Sequence, residues 1–282
     1  MYLHKVNMYF VNFFVFLTLF LLKGLSYDST QLNTCVWLSG AAYCGKDKYS
    51  SMILNGPAAG FTYKDTIYDI KTDLQGYIGI LPTTKSIYVV LRGSSSTINW
   101  LDDFEVKLVP YNTSSECNCT VHYGFYNSAI GVTNKIINTI KALRIQYPGY
   151  SVVVTGHSYG AAVGQLIGME LINKGINIKL YDYGQPRVGD AKYAEFVDTK
   201  IPEYYRMSHN KDVVPHVPPI EGFGYLHSCG EIFEDSTGKL TVCSQIFCED
   251  PKCADQFNLI QTNGDDHLYY LGHRVSCEAS TV

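Results

Sequence analysis

The 282-residue chain is poor in charge. Asp, Glu, Lys and Arg make up 17% of it, against about a quarter in an average soluble domain. Its 22 basic residues are scattered and the formal net charge is −4, so it lacks the basic stripe that a nucleic-acid partner requires. C-x-x-C spacing is missing. Cys117-Asn118-Cys119 is too tight for it, and Cys243, Cys248 and Cys253 have no histidine pair nearby. No metal site is expected, and nothing calls for another cofactor. Internal repeats and low-complexity linkers are absent. After residue 26 no apolar run is long enough to cross a bilayer.

Nine cysteines are many for a cytosolic protein of this size and point to an oxidising compartment. Their odd number leaves at least one free or paired between chains. The first residues account for the cysteines. Lys5 is followed by the apolar stretch Met8 to Leu22, then by Gly24-Leu25-Ser26, the pattern of a signal peptide covering residues 1–26. A membrane anchor is the alternative, but the run is short for a span and carries Asn12. The expectation is a secreted, soluble, monomeric protein with one domain over residues 27–282 and no transmembrane anchor. The polar stretch Tyr111 to Thr120 holds two glycosylation sequons, at Asn112 and Asn118, which in a secreted chain mark an exposed loop.

Strand and helix patterns alternate through the middle. Thr30 to Tyr43 reads as a helix capped by Ser29 or Thr30 and closed at Gly45. Ile67 to Ile70, Leu74 to Leu81 and Ser86 to Leu91 read as strands. Val132, Ile136, Ile140 and Leu143 space a helix that stops at Tyr147-Pro148-Gly149. Ile178 to Tyr183 and Glu203 to His209 read as strands on either side of a helix from Gly189 to Val197. A hairpin is expected from Tyr225 to Phe233 and Leu240 to Val242. Such alternation predicts an α/β fold, a mostly parallel central sheet flanked by helices.

The chain is organised around Gly156-His157-Ser158-Tyr159-Gly160, a G-x-S-x-G nucleophile-elbow pattern. The pattern alone is weak, matching by chance in on the order of one such chain in ten at this glycine content. Its context is specific. The β-branched run Ser151 to Thr155 precedes it, and a helical stretch from Ala161 to Asn173 follows. Gly160, Gly164 and Gly168 share a face of that helix, so it can lie close against a sheet. Its N-terminus points at the serine, where partial positive charge suits an oxyanion.

A serine hydroxyl needs a base, and the base an orienting carboxylate, in the chain order Ser, Asp or Glu, His. Asp212 follows the Glu203–His209 strand pattern directly. Asp182 lies inside a strand pattern, and Asp190 reads as a helix cap. Four histidines follow Asp212. His227 alternates within a strand pattern, and His216 sits close to Asp212 among prolines. His267 lies in the polar loop Gly264-Asp265-Asp266-His267 and is favoured over His273.

At these residues the chain resembles the fungal-type class 3 lipases of the α/β-hydrolase fold. The resemblance is carried by Val89-Val90-Leu91-Arg92-Gly93-Ser94, Ile98-Asn99-Trp100-Leu101, His122-Tyr123-Gly124-Phe125, Tyr183 to Asp190, His209 to Pro215 and Asp266 to Tyr270. These motifs are colinear over nearly all of the mature chain. The resemblance implies Ser158 as nucleophile, Asp212 as orienter and His267 as base. It implies Ser94 and the Tyr159 N–H as oxyanion donors, a short helical lid with Ile98, Trp100 and Leu101, and a disulfide between Cys44 and Cys277. Cys229, Cys243, Cys248 and Cys253 are expected to form further bridges of unread connectivity. Departures are Tyr159 and Ala161, where the family has leucine and glycine, Gln185 where alanine is usual, and a poor match from Cys243 to Asn263. The implied activity is hydrolysis of acylglycerol esters at a transient lipid–water interface. Phospholipase A1 and feruloyl esterase are alternatives within the family. A non-catalytic lipid-binding relative is the alternative outside catalysis, and the intact triad residues argue against it.

Overall fold

The computed structural model describes residues 27–95 and 105–281. The segment expected to be a signal peptide and the expected lid residues Ile98, Trp100 and Leu101 lie outside the described residues.

Helix α1 (Ser29–Ala41) is capped by Asp28, whose carboxylate accepts from the Thr30 and Gln31 N–H groups, rather than by Ser29 or Thr30. A carboxylate satisfies two orphan donors of the first turn and complements the helix dipole. A 3-10 turn over Ala42–Cys44 follows and stops at Gly45, whose φ of 85° suits a residue without Cβ. Strands β1 (Thr62–Asp69), β2 (Leu74–Leu81) and β3 (Ser86–Leu91) form an antiparallel meander. Next come β4 (Leu108–Pro110), β5 (Thr120–His122) and the long α2 (Tyr123–Gln146). Strand β6 (Ser151–His157) leads into α3 (Tyr159–Asn173), β7 (Ile178–Tyr183), the two-residue β8 (Gly189–Asp190), α4 (Ala191–Lys200) and β9 (Tyr204–His209). The chain closes with β10 (Tyr225–Leu226), β11 (Glu231–Glu234), β12 (Leu240–Val242), β13 (Tyr269–Tyr270), β14 (His273–Arg274) and the short α5 (Cys277–Ser280).

The main sheet has eight strands in the order β1-β2-β3-β6-β7-β9-β11-β12. β3, β6, β7, β9 and β11 run parallel, and β12 turns back antiparallel at the edge. A second, four-stranded sheet joins β10, β8, β5 and β4. The stretch expected as one strand from Tyr225 to Phe233 is therefore two. Tyr225–Leu226 pairs with β8 in the small sheet, and only Glu231–Glu234 enters the main one. Gly230, with φ 95° and no room for a Cβ against the Tyr204 carbonyl, breaks the run between them.

The two faces of the main sheet differ. α2, α3 and α4 cover one with aliphatics such as Ile136, Leu166, Val89 and Val154. α1 covers the other, which is rich in tyrosine: Tyr77, Tyr88, Tyr181, Tyr183 and Tyr205. Tyr77 and Tyr183 donate to the Leu38 and Leu32 carbonyls of α1, and Gln31 donates to the Tyr88 hydroxyl. Buried phenols meet their hydrogen-bonding need in this way. Gly160 and Gly164 bring α3 against β3: a Cβ on Gly160 would lie 2.4 Å from the Leu91 carbonyl oxygen.

Cys44 is joined to Cys277, Cys117 to Cys119, Cys229 to Cys248 and Cys243 to Cys253. Cys35, on α1, is free and buried. Asn112 and Asn118 are exposed. Among the described residues no helix is long and apolar enough to cross a membrane.

Candidate active site

β6 ends at His157 and α3 starts at Tyr159, so the whole strand-to-helix reversal falls on Ser158. Its φ of 58° and ψ of −129° lie where non-glycine residues are strained. The turn is held by the Ser158 N–H donating to the Tyr183 carbonyl at 2.9 Å. It also requires Gly156 and Gly160, because a Cβ on Gly156 would lie 2.6 Å from the Gly160 carbonyl. Ser158 is the N-cap of α3, yet its side chain makes no capping bond. The hydroxyl stays unspent at the positive end of the helix.

Asp212 follows β9 and is bracketed by the loop after residue 258: it bridges to Asn263, whose carbonyl accepts from the Val213 N–H. His267 sits in that same loop. Asp266 ties the two segments, its carboxylate accepting from the Asn210 and Asn263 side chains and the Lys211 N–H. The result is a buried pair in which His267 Nδ1 lies 2.8 Å and 3.0 Å from the two Asp212 oxygens. The Val214 N–H and the Tyr270 hydroxyl also donate to this carboxylate. Burial works to raise the Asp212 pKa, but the His267 charge and these three donors outweigh it and hold the carboxyl below its ordinary value. An ionised Asp212 fixes the proton on Nδ1 and leaves Nε2 as the basic atom. Nε2 of His267 and Oγ of Ser158 are both buried, and neither has a hydrogen-bond partner among the described residues.

The rejected candidates are occupied elsewhere. Asp190 caps α4 through the Tyr193 N–H. Asp182 is buried and bonded to Gln185, and burial pushes its pKa well up. His273 stacks on Trp37 at 4.3 Å and bonds Ser280, and His227 bonds the Pro215 carbonyl. His216 lies 3.8 Å from Asp255, in a cluster where Arg187 forks onto Glu249 at 2.8 and 2.9 Å.

Ser94 stands three residues past the end of β3, next to Gly93. A Cβ on Gly93 would come within 3.0 Å of the Ser158 Cβ, so this strand end lies against the elbow. The Tyr159 side chain, standing where the family has leucine, turns toward α2. Its hydroxyl donates to Ser128 at 2.5 Å and its ring meets Phe125 edge-on. Gln185 links Asp182, the Ala161 carbonyl and the Tyr204 hydroxyl in one buried network.

Sequence reasoning missed three contributors. Gly184 (φ 56°) packs on His267, where a Cβ would lie 2.7 Å from Cε1. Tyr270, three residues after His267, carries the extra bond to Asp212. His157, inside the elbow motif itself, donates through Nε2 to the His267 carbonyl at 2.8 Å. The glycine after a strand pattern and the fixed spacing of the other two were the available signals.

A family model, lipase (class 3), matches residues 88–222, the span from β3 to just past the Asp212 loop. A lipase of Rhizomucor miehei is 33% identical over 264 residues, covering 88% of this chain and 69% of the relative. A secreted mono- and diacylglycerol lipase A of Penicillium cyclopium is 34% identical over 200 residues, covering 71% of this chain and 63% of the relative. A solved triacylglycerol lipase whose catalytic centre is formed by a serine protease triad superposes with a TM-score of 0.80 at 31% identity, over 89% of this chain and 98% of that one. With the elbow, the buried Asp–His pair and these likenesses together, the chain belongs to the class 3 lipase family of carboxylic ester hydrolases.

Proposed function

We propose that the protein is a secreted serine hydrolase of acylglycerol esters, with Ser158 as nucleophile, His267 as base and Asp212 as its orienter. The observation that carries this reading is the buried Asp212–His267 pair beside a strained, uncapped elbow serine. Names among the relatives, triacylglycerol lipase and mono- and diacylglycerol lipase, favour the acylglycerol substrate.

In this reading His267 Nε2 takes the Ser158 proton as Oγ bonds to the ester carbonyl carbon. The carbonyl oxygen becomes an oxyanion, held by the Tyr159 N–H at the start of α3 and by Ser94. Collapse expels the alcohol, which receives the proton from His267, and leaves Ser158 acylated. Water, activated by the same histidine, then releases the fatty acid. Asp212, kept ionised, stabilises the imidazolium in both halves.

Export through a 1–26 signal peptide and an interfacial lid at Ile98, Trp100 and Leu101 are part of the proposal. Emulsified triacylglycerol, phospholipid, short soluble esters and feruloyl esters, each with Ser158→Ala as the blank, test it. The highest turnover is expected on acylglycerol, with a steep rise above its solubility limit that Trp100→Ala blunts. Preference for phospholipid or feruloyl ester would move the protein to those activities.

A further inference from the structure

One buried hydrogen-bond chain near the site has no part in the triad itself. It begins at Tyr43, whose hydroxyl is packed against Gly93, the residue before Ser94. Tyr43 comes from the 3-10 turn after α1. The Tyr43 hydroxyl lies 2.6 Å from Nδ1 of His157, and Nε2 of His157 lies 2.8 Å from the His267 carbonyl oxygen. A carbonyl only accepts, so Nε2 carries the imidazole proton. Nδ1 then accepts, and Tyr43 must donate to it. Both hydrogen bonds therefore run one way, from the Tyr43 hydroxyl, which abuts the strand end that bears Ser94, to the backbone of His267. Bonds aligned in this manner reinforce one another in a low-dielectric interior.

Packing gives the chain little slack. Gly93 has no space for a Cβ, which would fall 2.2 Å from the Tyr43 hydroxyl. The His157 ring lies with its centroid 4.3 Å from that of His267. Tyr43 immediately precedes Cys44, which is bonded to Cys277. Burial, reinforced by the neighbouring His267, pushes His157 down to about 3, so it stays neutral through the working range and offers the base an uncharged neighbour.

We propose that Tyr43 and His157 are positioning residues for His267: the chain from Tyr43, packed on Gly93, fixes the backbone of the base relative to the oxyanion strand, so that its ring keeps one orientation while it gains and loses a proton. The assignment deepens the ester-hydrolase reading and rests on it. His157 thereby has a use beyond filling a place in the elbow motif, and the α1 segment becomes part of the site's support. Small misplacements of a catalytic group cost rate far more than binding, so the effect belongs in kcat.

Tyr43→Phe keeps the ring and removes only the hydroxyl. On a short soluble ester it is expected to lower kcat about tenfold with KM within about twofold of wild type. His157→Gln, which can still donate to the His267 carbonyl, is expected to retain more kcat than His157→Leu. The low-field proton resonance of His267 Nδ1–H, assigned by its loss in His267→Gln, is expected to move upfield or broaden in Tyr43→Phe. An unmoved resonance, an unchanged kcat, or a loss confined to KM overturns the proposal. The resonance is read in the resting protein without ester, so a shifted signal in a protein that cleaves none of the esters would sink the reaction and leave the positioning chain standing.

Discussion

The two faces of the main sheet are held by different physics. On the α2–α3 face, burial of aliphatics such as Ile136, Ile140 and Leu166 supplies the cohesion. That force is non-directional and roughly proportional to area. On the α1 face, tyrosines add bonds from their hydroxyls to named carbonyls of the helix, and the Cys44–Cys277 bridge closes the far end. Directional bonds fix where a helix sits along its axis, which area alone does so less sharply. The face that must place Tyr43 next to Gly93 and His157 is the one built this way.

Four perturbations break or sharpen this contrast. Removing the Cys44–Cys277 bridge, which spans 233 residues, should have the largest effect, a loss of about 5.5 kcal/mol in the chain-entropy view. It is read as a lowered urea midpoint of the Cys44→Ala/Cys277→Ala protein at fixed pH. On the opposite face, Leu166→Ala removes a fully buried side chain and should cost about 3 kcal/mol by lost transfer energy and cavity. Activity per folded molecule should be unchanged there, since no directional contact to the site is cut. Tyr183→Phe deletes one buried bond to the Leu32 carbonyl and should cost about 1–2 kcal/mol, with the carbonyl's amide-I band shifting as it loses its partner.

The smallest effect concerns pH. Burial pushes Tyr77 and Tyr183 well above their ordinary range, so the tyrosine face carries no titration near neutrality. The segment from Cys243 to Asn263 behaves differently. There burial, and then the charge and hydrogen bond of Glu249, push Asp255 up to about 7. Between the ordinary aspartate range and that value the folded chain binds a proton that the unfolded chain has lost. This contribution is full in acid and is lost as pH rises through about 7. Wild type should therefore lose more stability than Asp255→Asn between about pH 5 and pH 8, measured by urea midpoints. A parallel fall in both proteins would remove Asp255 from the account.

Much of this architecture is legible in the chain before any coordinates. Strands β3 and β6 read as short β-branched runs because both faces of each are buried, and the elbow reads through its glycines, which a Cβ would block. The proposed triad of Ser158, Asp212 and His267 stands out through motif order and strand ends. The two- and three-residue strands of the small sheet are invisible, because β8 and β10 are too short to show any period. The cap at Asp28 lies one residue before the expected serine. Pairing among Cys229, Cys243, Cys248 and Cys253 depends on how β11 and β12 fold back, which no local pattern states. The Tyr43–His157 chain joins residues 114 apart, a distance at which sequence pattern carries no signal. Arg187 offers the same lesson: its ion pair with Glu249 pins the segment from Cys243 to Asn263 to the loop that carries Asp212 and His216.

The most direct test of the central claim is covalent labelling with a serine-directed organophosphate, mapped by peptide mass spectrometry. The account predicts a single phosphorylated residue, Ser158, loss of ester hydrolysis in step with its labelling, and labelling slowed by about a thousandfold in His267→Ala. Stoichiometric label on another residue, or full hydrolysis by Ser158→Ala protein free of other esterases, would contradict it.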